Sequence, residues 1–223
     1  MHIGSGFLSP PVWGTMAAVS GAALAASLAL APKRLDERRV PLMGVMGAFV
    51  FAAQMVNFPI LAGTSGHLGG GFLLGILLGS PLAIIVMGSI LVVQSLLFQD
   101  GGVEALGANA FAMGIMPCLV GGAVRRLWTR PRPGGLAFVF TFVGGIVSVL
   151  AGATAVTLLL WWSGSLPAQV TLIGALGVMD FIHLWIGVIE GLVTVAVVRF
   201  VLAVRRDAVI DAVPRAEAKK AAA

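Results

Sequence analysis

The chain has 223 residues, 59% of them hydrophobic and only 10% charged, where a soluble domain carries about 25% charged residues. That composition excludes a soluble globular protein and describes an all-α, polytopic transmembrane helical bundle. Cys118 is the single cysteine, so a disulfide framework and a cysteine metal cluster are excluded as well. The net charge of +5 does not read as nucleic-acid binding, because the cations are confined. All fourteen Lys and Arg fall within residues 33–39, 125–132 and from 199 onward, the positive-inside pattern of three cytoplasmic segments.

Met1-His2 opens the chain, ahead of any apolar run. Such a start offers three nitrogens to one ion: the Met1 α-amine, the His2 backbone amide and the His2 imidazole. Amine and amide close a five-membered chelate ring. Amide and Nδ1 close a six-membered one, whereas Nε2 points away from its own backbone. Three planar nitrogens leave one equatorial place, which a second histidine could fill. This tetragonal set suits Ni(II) or Cu(II) and is tolerated by low-spin Co(II), while zinc prefers a tetrahedron. A Met-His start is equally an ordinary flexible chain end, and the dipeptide alone does not choose.

The first apolar run, residues 12–31, ends at Pro32-Lys33-Arg34. Read as a signal peptide it would be cut after Ala29-Leu30-Ala31. Nothing basic precedes it, however, and the basic cluster follows it. The run is therefore expected to be retained with the N-terminus outside. A second span covers residues 41–61, and a glycine-rich outer turn, residues 62–71, carries His67 on the same side as the N-terminus. The apolar stretch 72–98 is broken by Gly79-Ser80-Pro81, since proline needs a helix start or a turn. It reads as two short spans joined near the inner face, and parity agrees, because Gly63 and Gly107 must both lie outside. After an outer loop at 98–104 come spans at 107–124, 135–162 and 170–204. About seven spans result, with the C-terminus cytoplasmic and a charged tail from 205. Trp13, Trp161 and Trp162 are expected at the outer interface and Trp128 at the inner one.

His67 is the main candidate for the fourth nitrogen; the alternative is a histidine in a flexible outer loop. Surrounding glycines permit close backbone approach. Asp180, His183, Gly187 and Glu190 are spaced to share one face of the last helix. Ionisable groups within a membrane are functional candidates, although with no charged partner in the span these read better as a bracing hydrogen-bond network. Gln54, Asn57 and Asn109 carry the same ambiguity, with Asn109 placed to support the outer site. Ala18, Ala22 and Ala26 form a small-residue stripe on the first helix that lets another helix approach. The nine methionines read as core filling.

Met1-His2-Ile3, Gly6-Phe7-Leu8, Gly66-His67, Asp100-Gly101-Gly102, Leu106-Gly107-Ala108-Asn109 and His183 with Glu190-Gly191 together resemble the nickel/cobalt substrate-binding component of energy-coupling-factor transporters. These are the membrane proteins of nickel uptake and of cobalt uptake for cobalamin biosynthesis. The resemblance covers nearly the whole chain in order. It implies that Met1, His2 and His67 hold Ni(II) or Co(II), as bound substrate, in a square of four nitrogens. It also implies that the N-terminal segment inserts into the bundle from outside. Residues 1–204 would form one transmembrane substrate-binding domain in the inner membrane, with residues 1–11 as its metal-binding segment and 205–223 as a cytoplasmic tail. The implied partners are a transmembrane coupling subunit, docking through Ala18, Ala22 and Ala26, a pair of cytoplasmic ATPases, and a small accessory membrane subunit. Members of this family often carry an acidic residue where this chain has Ser5, which leaves a supporting carboxylate there in question.

No G-x-x-x-x-G-K-[ST] loop occurs in the sequence, so ATP hydrolysis by this chain is not expected. One enzyme pattern remains. Gly63-Thr64-Ser65-Gly66 fits the G-x-S-G of rhomboid-type intramembrane serine proteases, with His183 on a later helix as the partner of Ser65. Three residues separate His183 from Gly187, where that family has two.

Overall fold

The computed structural model describes residues 1–35, 37, 39–60, 64–128 and 134–204. Part of the expected outer turn, part of the second basic cluster and the tail from 205 lie outside the described residues. Helix α1 (Pro10–Leu30) starts with two prolines in its first turn, where the missing N–H is not needed. After it come α2 (Arg39–Gln54), the short strands β1 (Phe58–Pro59) and β2 (Ser65–Gly66), α3 (Gly71–Leu78), α4 (Ser80–Leu97), α5 (Leu106–Asn109), α6 (Met116–Trp128), α7 (Gly135–Trp162) and α8 (Leu172–Val204). A wide π-helical turn, Ala110–Ile115, joins α5 to α6. It lies just ahead of Pro117, whose missing N–H leaves the Met113 carbonyl without its usual partner.

Five stretches are long and apolar enough to cross a membrane: α1 with its terminal 3-10 turn, α4, α5 to α6 taken together, α7 and α8. Helix α2 stops short of the expected span to residue 61. Its chain leaves the helix before Phe58-Pro59, which pairs antiparallel with Ser65-Gly66. Proline cannot donate within a helix, and it pushes the residue before it towards extended backbone. Within the expected pair of spans at 72–98, the break falls at Gly79, whose φ of +80° a side chain would strain. The two arms are unequal: α4 has 18 residues and α3 only 8. Eight residues rise about 12 Å, well short of the roughly 30 Å hydrocarbon core.

Every residue of α3 is buried, and the backbone at residues 67–70 leads into it without helix or strand. Inside a membrane such backbone must be satisfied by the protein itself. Glu190 of α8 does this, accepting the Gly69 N–H on Oε2 at 2.6 Å and the Gly70 N–H on Oε1 at 2.9 Å. At the other end Arg125 of α6 donates to the Ile76 and Leu77 carbonyls, both at 2.6 Å. The short helix thus has a carboxylate at its N-terminus and a guanidinium at its C-terminus, each favourable to its dipole. Where α3 crosses α6 a Cβ on Gly75 would sit 2.5 Å from the Cys118 carbonyl, so only glycine permits that approach.

Two expectations about single residues change. Trp128 is buried rather than interfacial; its indole donates to Thr141 Oγ1 at 2.8 Å and stacks edge-on against Phe138. Glu190 has partners after all, but they are backbone N–H groups. Asp180 accepts from the Thr154 hydroxyl at 3.1 Å.

Removing the acceptor pair should be costly. Glu190→Leu is expected to destabilise the protein by about 2–6 kcal/mol, at about 1–3 kcal/mol for each buried N–H left unmade. Glu190→Gln, which keeps one accepting oxygen, should lose less. Thermal unfolding in detergent checks the order; equal midpoints for the parent and both variants would contradict it.

Candidate metal centre

The first residues of the chain lie inside the bundle. Met1, His2 and Ile3 are 1%, 3% and 0% exposed. Ile3 is clamped on both sides. Its N–H donates to Asn109 Oδ1 at 2.8 Å, while its carbonyl accepts from Asn109 Nδ2 at 3.1 Å and from the Gly102 N–H at 2.9 Å. It also bridges Thr64, just before β2. The Met1 side chain lies against Gly152 of α7. Further out, the Gly6 N–H and the Ser5 hydroxyl donate to the two oxygens of Glu104. An acidic residue at position 5 would set a carboxylate against that carboxylate, so Ser5 suits this chain. The loop after α4 fits the tail closely: a Cβ on Gly102 would come within 2.7 Å of the Ser5 nitrogen.

His67 follows β2 and brings its ring to the ring of His2, with centroids 4.7 Å apart and planes 30° from parallel. His67 Nδ1 lies 2.7 Å from the Leu68 carbonyl. A carbonyl only accepts, so Nδ1 carries the hydrogen and Nε2 keeps its lone pair. That Nε2 is buried and unpartnered. His2 Nε2 stands 3.1 Å from Gln94 Oε1, and its Nδ1 is 3.2 Å from Asp100 Oδ1 without hydrogen-bond geometry. No hydrogen bond among the described residues engages the Met1 amine or the His2 amide N–H.

Burial lowers the Met1 amine from 8.0 to about 4, against the upward pull of Asp100. Burial, then the nearby amine and His2, hold His67 well below its usual value. Burial would raise the Asp100 carboxyl, but the His2 ring and the Asn57 amide, donating at 2.9 Å, outweigh it and hold it low. Near neutral pH the pocket thus offers an uncharged amine and an uncharged His67 ring beside the Asp100 carboxylate. Among the described residues no three His, Cys, Asp or Glu side chains are grouped to hold a metal ion.

Met1, His2 and His67 are therefore together, and Asn109 braces them. Ser65 and His183 are not joined: among the described residues Ser65 Oγ has no partner, and His183 gives Nδ1–H to the Met179 carbonyl at 2.8 Å while its Nε2 has none. Asp180 lies apart, bonded to Thr154. The sequence reading passed over Gln94, although an amide within an otherwise apolar span is costly unless partnered. Asp100 stood out only as part of a family motif, and Glu104 only as part of the outer loop.

A protein family described as the cobalt uptake substrate-specific transmembrane region matches residues 2–208. A putative metal transport protein of Haloquadratum walsbyi is 36% identical over 209 residues, covering 94% of this chain and 93% of its own. A putative fused nickel transport protein of Archaeoglobus fulgidus is 35% identical over 210 residues, 94% of this chain and 68% of its own. The crystal structure of a transition metal transporter superposes with a TM-score of 0.81 at 33% identity, covering 92% of this chain and 93% of that one.

Two outcomes test the lodged tail. Gly102→Val, which has no room for its side chain, should leave residues 1–8 open to protease in the folded protein; parent-like protection would contradict the fit. The buried amine sets a pH sign. It titrates near 4 when inserted and at 8.0 when free, so the withdrawn tail binds the extra proton. Insertion is then fully favoured above about pH 8 and weakens steadily as pH falls towards 4. Hydrogen exchange of the first residues should accelerate, relative to its intrinsic rate, between pH 8 and 5. A constant protection factor would contradict the neutral amine.

Proposed function

The chain belongs to the cobalt-uptake substrate-specific transmembrane family, a multi-pass nickel and cobalt transport family, and on that footing we propose that it is the substrate-specificity component of an energy-coupling-factor importer. In this reading it takes Ni(II) or Co(II) from the outer face. The Met1 amine, the His2 amide nitrogen, His2 Nδ1 and His67 Nε2 hold the ion in a square. The observation that carries it is that all four nitrogens belong to buried residues and lack a hydrogen bond among the described residues, with the two rings 4.7 Å apart. Binding displaces the amide proton of His2, which gives affinity an acid-sensitive component. The Asp100 carboxylate, 3.2 Å from His2 Nδ1, offsets the charge that the ion brings. Four nitrogens in one plane lean to nickel over cobalt.

Residues 1–204 act as one substrate-binding unit in this proposal, and energy comes from elsewhere. A cytoplasmic ATPase pair hydrolyses ATP, a transmembrane coupling subunit transmits the motion, and a small accessory membrane subunit assists. Helix α1 supports a docking role. It buries Val12, Met16, Ser20 and Ser27 and leaves Ala18, Ala22 and Ala26 exposed on its other face, where small residues admit a close partner helix. The fused form of the Archaeoglobus relative agrees with a need for companions. Nothing favours the Ser65 and His183 protease.

The test is nickel affinity in a C-terminally tagged protein whose start is verified by mass spectrometry. One residue added before Met1 moves the amine out of its five-membered ring, and affinity should fall by more than about 100-fold, beyond the 10–100-fold typical of losing an outer partner. His67→Ala should do the same without unfolding the protein, and Ser65→Ala should leave uptake intact. Equal affinity with and without the added residue would end the chelate proposal.

A further inference from the structure

A line of amides joins the two histidine-bearing segments. Gln54, the last residue of α2, donates from Nε2 to the Gly69 carbonyl. Its Oε1 accepts from Gln94 Nε2 at 2.9 Å, and Gln94 Oε1 faces His2 Nε2 at 3.1 Å. Both glutamines are 0% exposed. An isolated amide can be turned either way, but this line has a fixed end. The Gly69 N–H is already given to Glu190, so Gly69 presents only its carbonyl, which only accepts. Gln54 must then turn its NH2 to Gly69 and its oxygen to Gln94. Gln94 must turn its NH2 to Gln54 and its oxygen to His2. His2 must therefore hold a hydrogen on Nε2. Reversing any member sets like against like in a buried place and leaves polar groups unsatisfied where water cannot reach them.

We infer that Gln54 and Gln94 are positioning residues for the substrate metal: they lock the hydrogen of His2 on Nε2 and so reserve Nδ1, the nitrogen able to close a chelate with the His2 amide. This rests on the chelate reading above. His67 is set the opposite way, because the Leu68 carbonyl holds its Nδ1–H and reserves Nε2. Consecutive carbonyls, Leu68 and Gly69, thus choose opposite tautomers for the two rings. Glu190, which anchors Gly69 and Gly70, keeps those carbonyls in place. Outer partners of ligating histidines fix tautomer and ring orientation in this manner, and their loss typically costs about 10–100-fold in metal affinity.

The experiment reads the tautomer directly. Histidine labelled with 15N gives at most three ring systems, since the chain has three histidines, and the nitrogen shifts separate the two tautomers. In the metal-free full-length protein above pH 8, His2 should appear as the Nε2–H form and His67 as the Nδ1–H form. Gln94→Leu should turn His2 into a mixture and lower nickel affinity by about 10–100-fold. Gln94→Glu keeps an acceptor for the His2 hydrogen but sets an oxygen against Gln54 Oε1, so it should keep the Nε2–H form while destabilising the protein. Gln54→Leu breaks the line one step further from the ring and should give a smaller shift of the same kind, which serves if Gln94→Leu does not fold. His2 in the Nδ1–H form in the parent, or an unchanged tautomer and affinity in both leucine variants, would overturn the inference. Failure of the chelate reading looks different: the parent tautomers hold, but affinity ignores an added N-terminal residue.

Discussion

Residues 67–70 run through the interior of a membrane bundle without helix or strand, where water cannot satisfy their backbone. Glu190 takes the Gly69 and Gly70 N–H groups, and Gln54 takes the Gly69 carbonyl. Once those partners exist, the rest becomes affordable. The chain can bring His67 into the bundle interior, begin α3 with its dipole matched at both ends, and end it under Arg125. Glu190 is therefore structural in its contacts but sits directly behind the site, because the two peptide units whose N–H groups it takes also carry the Leu68 and Gly69 carbonyls that orient both imidazoles.

The second half of the pocket comes from the chain start. Met1, His2 and Ile3 are buried because Asn109 and Gly102 supply the hydrogen bonds that an extended segment would otherwise leave unmade. This fixes Ile3 firmly, while among the described residues nothing hydrogen-bonds to the amine or the His2 amide N–H. The contrast is informative: polar groups one residue apart are either fully satisfied or wholly open. Open polar groups in a buried pocket are costly unless something else arrives to use them. A buried neutral amine, two imidazoles with lone pairs held free and a carboxylate alongside form a surface complementary to a cation.

Much of this was legible in the residues. The positive-inside clusters and low charge gave a polytopic helical bundle, and Gly79-Ser80-Pro81 gave the break between α3 and α4. The family motifs pointed to Met1, His2 and His67, and these do meet. The end of α2 was not legible, because the apolar run continues through Val56 and Phe58 into the hairpin, and hydropathy cannot separate a strand from a helix there. The shortness of α3 was hidden for the same reason. Glu190 seemed to lack a partner because its partners are backbone N–H groups, which carry no residue signature. Gln94 lay unnoticed in an apolar span, and Trp128 was assigned to an interface by composition although Thr141 and Phe138 enclose it.

The central claim is that four nitrogens, two of them from the chain start rather than from side chains, hold the transported ion. Nickel K-edge X-ray absorption on the loaded full-length protein tests it most directly. The expected spectrum shows the edge feature of a square-planar ion and one shell of four nitrogens with imidazole scattering from two rings. A sulfur scatterer from Met1 or Cys118, or a six-coordinate shell rich in oxygen, would contradict it.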